Sequence, residues 1–196
     1  MIIVGLTGGI GSGKTTVGKM FKDLGVPIYN SDKQAKKLMK SSKKIRKAIK
    51  DLLGNDAYSG GKLNRAYIAD KVFQNKTLLN KLNAIVHPAV REHFTKWANK
   101  QDAAYVIQEA AIIFENGMHD FYDKIILVTA PEEIRLKRIV ERDNSSRSKI
   151  MARIQSQWND NKKIPLSDFV IDNVKLDETR LKVQEVHRRL LDYSER

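Results

Sequence analysis

The 196-residue chain contains no cysteine, which excludes disulfide bonds, thiolate metal sites and a cysteine nucleophile. No apolar run approaches the ~20 residues that a transmembrane helix requires. The apolar start of the chain, MIIVGLTGGIG, lacks the basic segment of a signal peptide and soon breaks into glycines. These absences predict a cytoplasmic protein that has no membrane partner.

Acidic residues are also scarce. The chain has 23 of them and 36 lysines and arginines, so its net charge is +13. A chain of this charge attracts anions, and nucleic acid, acidic lipid and a phosphorylated metabolite all qualify. Hydrophobic residues make up 41% of the chain, which is enough to fill a core. The length suits one globular domain.

Short apolar segments alternate with helical patterns along the chain. Strands are predicted at 1–6, 26–29, 104–107, 124–128 and 169–171. This alternation is typical of an α/β protein with a parallel, doubly wound sheet of five strands. The segment 32–102 is too long for one crossover helix and predicts an inserted helical lobe. In that lobe we expect a helix from Asp32 to about Leu53 with a break at Ser41–Ser42, followed by a loop at 54–61. Further helices are expected to begin at Asn64, as an N-cap, and at Pro88.

The first predicted strand leads into Gly8-Gly9-Ile10-Gly11-Ser12-Gly13-Lys14-Thr15, which matches the P-loop pattern G-x-x-x-x-G-K-[ST]. Glycines let backbone N–H groups turn toward phosphate oxygens, and the helix that follows adds its positive end. Lys14 can reach the β- and γ-phosphates, and the Thr15 hydroxyl can ligate Mg²⁺. The segment therefore predicts a nucleotide site.

Two acids follow predicted strands, at the sheet edge where ligands bind in such folds. Asp32 is a candidate general base for an attacking hydroxyl, and a helix N-cap is the equal alternative. Glu109 is a candidate holder of a Mg²⁺-bound water, with a plain strand-end carboxylate as the alternative. No apolar run ends in a clear metal-binding aspartate.

Basic residues are concentrated in two stretches. Nine lie between Lys33 and Lys50 with no acid among them, which indicates either a solvated face or an electrostatic funnel for an anionic substrate. The second stretch follows the fourth strand, from about 135 to 153. We interpret its arginines as part of a lid that stabilises phosphoryl transfer, with a solvated face or a nucleic-acid patch as the alternative; they are Arg135, Arg138, Arg142, Arg147 and Arg153.

In order and spacing, the motifs from residue 2 to about 173 resemble those of the dephospho-coenzyme A kinase family. The P-loop is similar to that family's TGGIGSGK, and Tyr29-Asn30-Ser31-Asp32 resembles its Ile-Asp-Ala-Asp. Further matches are the His87-Pro88 segment, Ile112 to Glu115, Leu136 to Arg138 with Arg142-Asp143, Arg153 to Gln157, and Asp168 to Asn173.

The resemblance implies a three-layer P-loop kinase in which 1–196 form one kinase domain. Within it, 32–102 would be the inserted substrate-binding lobe and 138–165 the lid. ATP would phosphorylate the ribose 3′-hydroxyl of dephospho-coenzyme A, with Asp32 as the base and Lys14 and Arg138 stabilising the transferred group. Mg²⁺ would be held by Thr15 through ATP. The implied ATP contacts are Thr7, Gly8, Gly9, Ile10, Gly11, Ser12, Gly13, Lys14, Thr15, Thr16 and Arg142.

The sequence departs from the family pattern at two positions. Asn30 stands where the family has an acid, and Ala111 stands where it has a proline. Two rival functions use the same P-loop: another small-molecule kinase, for a nucleoside monophosphate or a sugar acid, and a nucleic-acid-binding protein. The second rival lacks a separate nucleic-acid-binding motif, so we expect dephospho-coenzyme A and no nucleic acid as partner. The oligomeric state stays open.

Overall fold

A computed structural model describes residues 1–73, 75–143 and 147–195. The elements follow in chain order as β1 (Ile2–Gly8), α1 (Lys14–Asp23), β2 (Ile28–Asn30), α2 (Ser31–Ser41), α3 (Lys43–Leu53), β3 (Tyr58–Ser59), β4 (Lys62–Leu63), α4 (Arg65–Phe73), α5 (Lys76–Ala98), β5 (Tyr105–Glu109), β6 (Lys124–Thr129), α6 (Glu132–Asp143), α7 (Arg147–Gln155), α8 (Asp160–Lys163), β7 (Phe169–Asp172) and α9 (Leu176–Ser194). Short 3₁₀ turns lie at Asn55–Ala57, His119–Phe121 and Ile164–Leu166.

Residues 1–30 and 101–196 form one compact unit around a parallel sheet. Its five strands lie in the order β2-β5-β1-β6-β7. The central strands are apolar along their length because helices cover both faces of a parallel sheet, and Val4, Ile107 and Ile126 are fully buried. Helices α1 and α9 join this core through Val17, Phe21, Val183, Val186 and Leu190. The predicted α/β fold with a five-stranded parallel sheet is confirmed.

All five strands end at the same edge of the sheet. The register pairs Leu6 with Glu109, and Glu109 with Asn30, across β1, β5 and β2. On the other side of β1, Thr129 of β6 pairs with Asp172 of β7. Residues that end these strands are therefore neighbours in space although they are far apart in the chain.

Residues 31–100 form the second unit, which consists of α2 to α5 and a small hairpin. Ser42 separates α2 from α3 because its hydroxyl accepts the Ile45 N–H and caps the second helix. Asn64 caps α4 in the same way, accepting the Tyr67 N–H at 3.2 Å. The predicted helix break at Ser41–Ser42 and the predicted cap at Asn64 are confirmed.

Two predictions about this unit are wrong. Pro88 lies inside α5 instead of beginning a new helix. Proline removes only the bond to the Ala84 carbonyl, and the buried face of Leu82, Val86, Val90 and Phe94 continues at four-residue spacing through it. The segment 54–61 is also more than a loop, because β3 pairs with β4 across Gly60-Gly61, whose φ values of 55° and 77° suit a tight hairpin turn.

The lid prediction covers residues that the structure describes only in part. Of the lid predicted at 138–165, residues 144–146 lie outside the described residues, and α7 is described from Arg147. Within the described ranges, no helix is long and apolar enough to cross a membrane.

Candidate active site

The P-loop connects the end of β1 to the first turn of α1. Gly11 and Gly13 have φ values of 82° and 92°, which favour glycine. A Cβ at Gly13 would overlap the side-chain amide of Asn173, so no larger residue fits there. The Lys14 ammonium donates to the Gly8 carbonyl oxygen at 2.6 Å and lies 3.4 Å from that of Gly9. The loop therefore encloses a cation at the positive end of a helix, an arrangement suited to phosphate.

Three neighbouring elements bring polar side chains together beside the P-loop. The Thr15 hydroxyl donates to Glu109 Oε1 at 2.8 Å, and the Asn30 amide donates to Glu109 Oε2 at 2.6 Å. Glu109 is only 7% exposed. A threonine hydroxyl and a carboxylate are the hard oxygen ligands that Mg²⁺ prefers. The residues present therefore fit a magnesium site, either directly or through water.

Arg138, on α6, contacts the P-loop from its other side. Its guanidinium donates to the carbonyl oxygens of Asn173 at 2.8 Å and Ser12 at 3.4 Å. The Asn173 side chain also donates to the Ser12 carbonyl at 2.8 Å and is almost completely buried. The structure thus brings Arg138 to the loop, and it adds Asn173, which the sequence analysis did not select. Its position directly after the last strand was the available signal.

Thr7 is buried at the end of β1, and its hydroxyl donates to the Ala111 carbonyl oxygen at 3.4 Å. The segment that carries the Ala111 departure is thus joined to the strand that leads into the P-loop. A further backbone bond, from Ala110 N–H to the Leu6 carbonyl at 3.0 Å, continues the β1–β5 pairing by one residue.

The structure places Arg142 in an ion network on the surface. Its guanidinium donates to both oxygens of Asp143, at 2.6 and 2.9 Å, and Arg153 donates to the same carboxylate at 3.1 Å. The hydrogen bond from Arg142, aided by the one from Arg153, lowers the pKa of Asp143 to about 2. These contacts organise α6 and α7, and a contact between Arg142 and ATP stays a prediction.

Asp32 belongs to the helical unit, in the first turn of α2 and two residues after Asn30. Because α2 begins at Ser31, the aspartate is inside the helix instead of at its N-cap. A carboxylate in a first turn is favoured by the helix dipole, and the Asp32 side chain is exposed. The carboxylate is therefore accessible from solvent.

Sequence comparisons with known proteins agree on one family. The family model for dephospho-CoA kinase matches residues 2–178. A dephospho-CoA kinase of Bacteroides fragilis is 43% identical over 173 residues, which cover 88% of this chain and 84% of that protein. A crystal structure of a Thermus thermophilus protein has a TM-score of 0.88 at 30% identity, with 96% of both chains covered. A dephospho-CoA kinase from Campylobacter jejuni has a TM-score of 0.70 at 25% identity, with 97% of both chains covered. The chain belongs to the dephospho-CoA kinase family.

Proposed function

We propose that this chain transfers the γ-phosphoryl group of ATP to the ribose 3′-hydroxyl of dephospho-CoA, giving CoA and ADP in the final step of CoA biosynthesis. The observation that carries the proposal is the match to the family over residues 2–178, on a chain whose P-loop holds Lys14 and Thr15 at the sheet edge. The acceptor contains a pyrophosphate, so its charge is complementary to the net charge of +13.

The P-loop binds the phosphates of ATP in this proposal. Backbone N–H groups from Gly8 to Thr16 surround the phosphate oxygens, and Lys14 exchanges the Gly8 carbonyl for the β- and γ-phosphates. Arg138, fixed by two carbonyl oxygens beside the loop, adds a second positive charge. Both cations lie where negative charge increases during the transfer, and this lowers the barrier.

Thr15 and Glu109 would hold the metal in the same proposal. Mg²⁺ supplies charge neutralisation of the phosphates when bound. Asn30 keeps one oxygen of Glu109 in place through its amide. Because asparagine is neutral, it places no second negative charge beside Glu109.

Asp32 acts as the general base. Its carboxylate accepts the proton of the ribose 3′-hydroxyl, while the ribose oxygen forms a bond to the γ-phosphorus and the bond from that phosphorus to the β–γ bridging oxygen breaks. The electron pair of the broken bond leaves on ADP. Support comes from the position of Asp32 two residues after the end of β2, whose last residue contacts Glu109, and from its exposed carboxylate.

ADP release with Mg²⁺-ATP tests this proposal. We would compare dephospho-CoA with AMP, adenosine, a sugar acid and no acceptor. Rapid turnover with dephospho-CoA alone is the expected result. Turnover with AMP or the sugar acid instead would favour another small-molecule kinase, and protein that binds ATP but is not stimulated by dephospho-CoA would contradict the proposed acceptor.

A gel shift at physiological salt tests the rival nucleic-acid function. The net charge of +13 predicts weak binding to duplex DNA at low salt. We expect that binding to disappear as salt is raised, because it rests on counterion release at phosphates. Binding that persists with a preferred sequence would contradict the proposal that nucleic acid is not a partner.

A further inference from the structure

Ile10, in the middle of the P-loop, has both of its backbone polar groups held by side chains from distant parts of the chain. Its N–H donates to Gln157 Oε1 at 2.8 Å. Its carbonyl oxygen accepts from Arg135 Nε at 2.9 Å. Gln157 follows α7 and Arg135 lies on α6. Two separate parts of the chain therefore hold the N–H and the carbonyl oxygen of the same residue.

Arg135 is built into the loop and not merely adjacent to it. The residue is only 7% exposed, and a Cβ at Gly9 would overlap its guanidinium. A Cβ at Gly11 would lie 2.7 Å from the Arg135 carbonyl oxygen. Asp160 Oδ2, 3.8 Å from Arg135 Nη1, provides a compensating charge. A buried arginine with these contacts fixes the loop where two of its glycines bring backbone close to α6.

The segment that carries Gln157 is itself anchored. We define residues 157–163 as the clamp segment. The Trp158 N–H donates to Glu115 Oε1 at 3.0 Å, and the fully buried Lys163 ammonium lies 2.7 Å from the same oxygen. Asp160 pairs with Arg135 between these two points. The clamp segment is therefore held near both of its ends, and this fixes the position of Gln157 beside Ile10.

The Ile10 side chain provides a third anchor. It packs against an apolar cluster from α6 and α7 made of Leu136, Ile139, Ile150 and Ile154. Ile10 thus contacts these elements through its side chain, its carbonyl oxygen and its N–H. In a loop with four glycines in six residues, this is the residue through which the surrounding structure can restrain the backbone.

We infer that Gln157 and Arg135 are positioning residues for the proposed phosphoryl transfer, which act by clamping Ile10 so that the neighbouring glycine N–H groups are already aimed at the nucleotide phosphates. The inference rests on the proposed kinase function for its catalytic meaning. Glycine-rich backbone loses much conformational freedom when it is ordered. Ordering the loop in advance removes that cost from nucleotide binding.

Gln157→Leu tests the inference because leucine has a similar size but no acceptor for the Ile10 N–H. The matched control is Gln155→Leu, which changes an exposed glutamine two residues earlier. We would measure the Kd for ADP by calorimetry, the KM for ATP and for dephospho-CoA, kcat, and hydrogen exchange of the Ile10 amide by NMR.

Gln157→Leu is expected to weaken ADP binding and raise the KM for ATP by about five- to tenfold, the size of one lost hydrogen bond. The KM for dephospho-CoA should stay within about twofold. The Ile10 amide should exchange at least about tenfold faster, because its acceptor is gone. Gln155→Leu should change none of these values. Gln157→Glu keeps an acceptor oxygen and should restore slow exchange at Ile10.

An unchanged exchange rate at Ile10 and an unchanged ADP affinity in folded Gln157→Leu would overturn the inference. If that variant does not fold, Gln157→Asn carries the same expectations, since its amide is one methylene too short for the 2.8 Å bond. Failure of the wild-type protein to phosphorylate dephospho-CoA would refute the proposed acceptor alone. ADP affinity and amide exchange report on the hydrogen bond between Gln157 and Ile10 without any acceptor.

Discussion

Glu109 accepts hydrogen bonds from Thr15 and from Asn30, and each contact gives a neighbouring residue a defined role. Thr15 is held with its hydroxyl at the edge of the P-loop, where a phosphate-bound metal would lie. Asn30, which replaces an acid of the family pattern, donates to the carboxylate instead of repelling it. The departure at residue 30 therefore adds a hydrogen-bond donor, and no second negative charge, beside Glu109.

Replacing Thr15 by valine removes the hydroxyl while keeping the shape of the side chain. We expect the Mg²⁺ concentration for half-maximal activity to rise by about tenfold, the effect of losing one ligand-scale interaction. ADP affinity in the presence of a chelator should change little, because that measurement contains no metal. Thr95→Val, on an exposed face of α5, is the control. An unaltered Mg²⁺ requirement would refute the role of Thr15 in metal binding.

Asp32→Asn removes the proposed base and keeps the size of the side chain. We expect kcat to fall by about 10²- to 10⁴-fold, the range typical of general-base catalysis. ADP affinity should be retained because the P-loop is intact. Steady-state ADP release and calorimetry measure the two quantities, with Asp51→Asn, at an exposed position in the last turn of α3, as the control. Near-normal kcat would mean that positioning alone carries the reaction.

Lys14→Ala provides a contrast to that variant. Because Lys14 lies inside the P-loop, its loss should damage both kcat and ADP affinity. If Lys14→Ala reduces kcat but leaves ADP affinity unchanged, the ammonium contacts only the transferring group.

Elements were predictable from sequence where their signals are local. Ser42 and Asn64 mark helix starts through bonds to residues three positions ahead. Pro88 misled the prediction, because the usual meaning of a proline was overridden by the buried face of α5. The β3–β4 hairpin was missed because each of its strands has only two residues, too few for an alternating pattern.

Helix α2 has four exposed lysines that lie together on one face; they are Lys33, Lys36, Lys37 and Lys40. Asp32, Lys36 and Lys40 are spaced four residues apart and so follow one line along the helix. The lysines on this line are therefore the members of the basic run best placed to attract an anionic acceptor toward Asp32.

Neutralising Lys36 and Lys40 to glutamine should raise the KM for dephospho-CoA about three- to tenfold at low salt, because each exposed charge pair contributes up to ~1 kcal/mol. The increase should shrink at about 300 mM salt, where such interactions are screened. The KM for ATP should not change. Neutralising Lys76 and Lys81, exposed lysines of α5, is the control of equal charge. If the KM for dephospho-CoA is unchanged at low salt, Lys36 and Lys40 belong only to a solvated face.

At the scale of the whole molecule, the sequence predicted a parallel sheet but not the order of its strands. β2 pairs with β5 although about 75 residues lie between them, and such pairing depends on contacts that no local pattern contains. The candidate site also has a part that is local in sequence and a part that is not. The P-loop is one continuous motif, whereas Asn173, Arg135 and Gln157 reach it through bonds that span more than 120 residues of chain.

The stability of the folded chain should depend on pH through His187 of α9. Its Nδ1 lies 2.6 Å from the hydroxyl of Tyr105, a buried residue at the start of β5. Burial lowers the pKa of His187 below its ordinary value of 6.5. The folded state therefore resists protonation, and its stability should fall as the pH drops from about 6.5 through the lowered pKa, because the unfolded chain takes up the proton first.

His187→Leu isolates this contribution. At about pH 8 the variant should be less stable than the wild type by about 1–3 kcal/mol, because the Tyr105 hydroxyl loses its hydrogen bond to the imidazole. Urea unfolding at about pH 8, 7, 6 and 5 gives the free energy of unfolding of both proteins. The difference between them should narrow below about pH 6.5, since only the wild type bears the cost of the neutral histidine. Other titrating groups are common to both proteins and cancel in the difference when they are independent of His187. A difference that stays constant or widens toward pH 5 would show that the folded state does not hold His187 neutral.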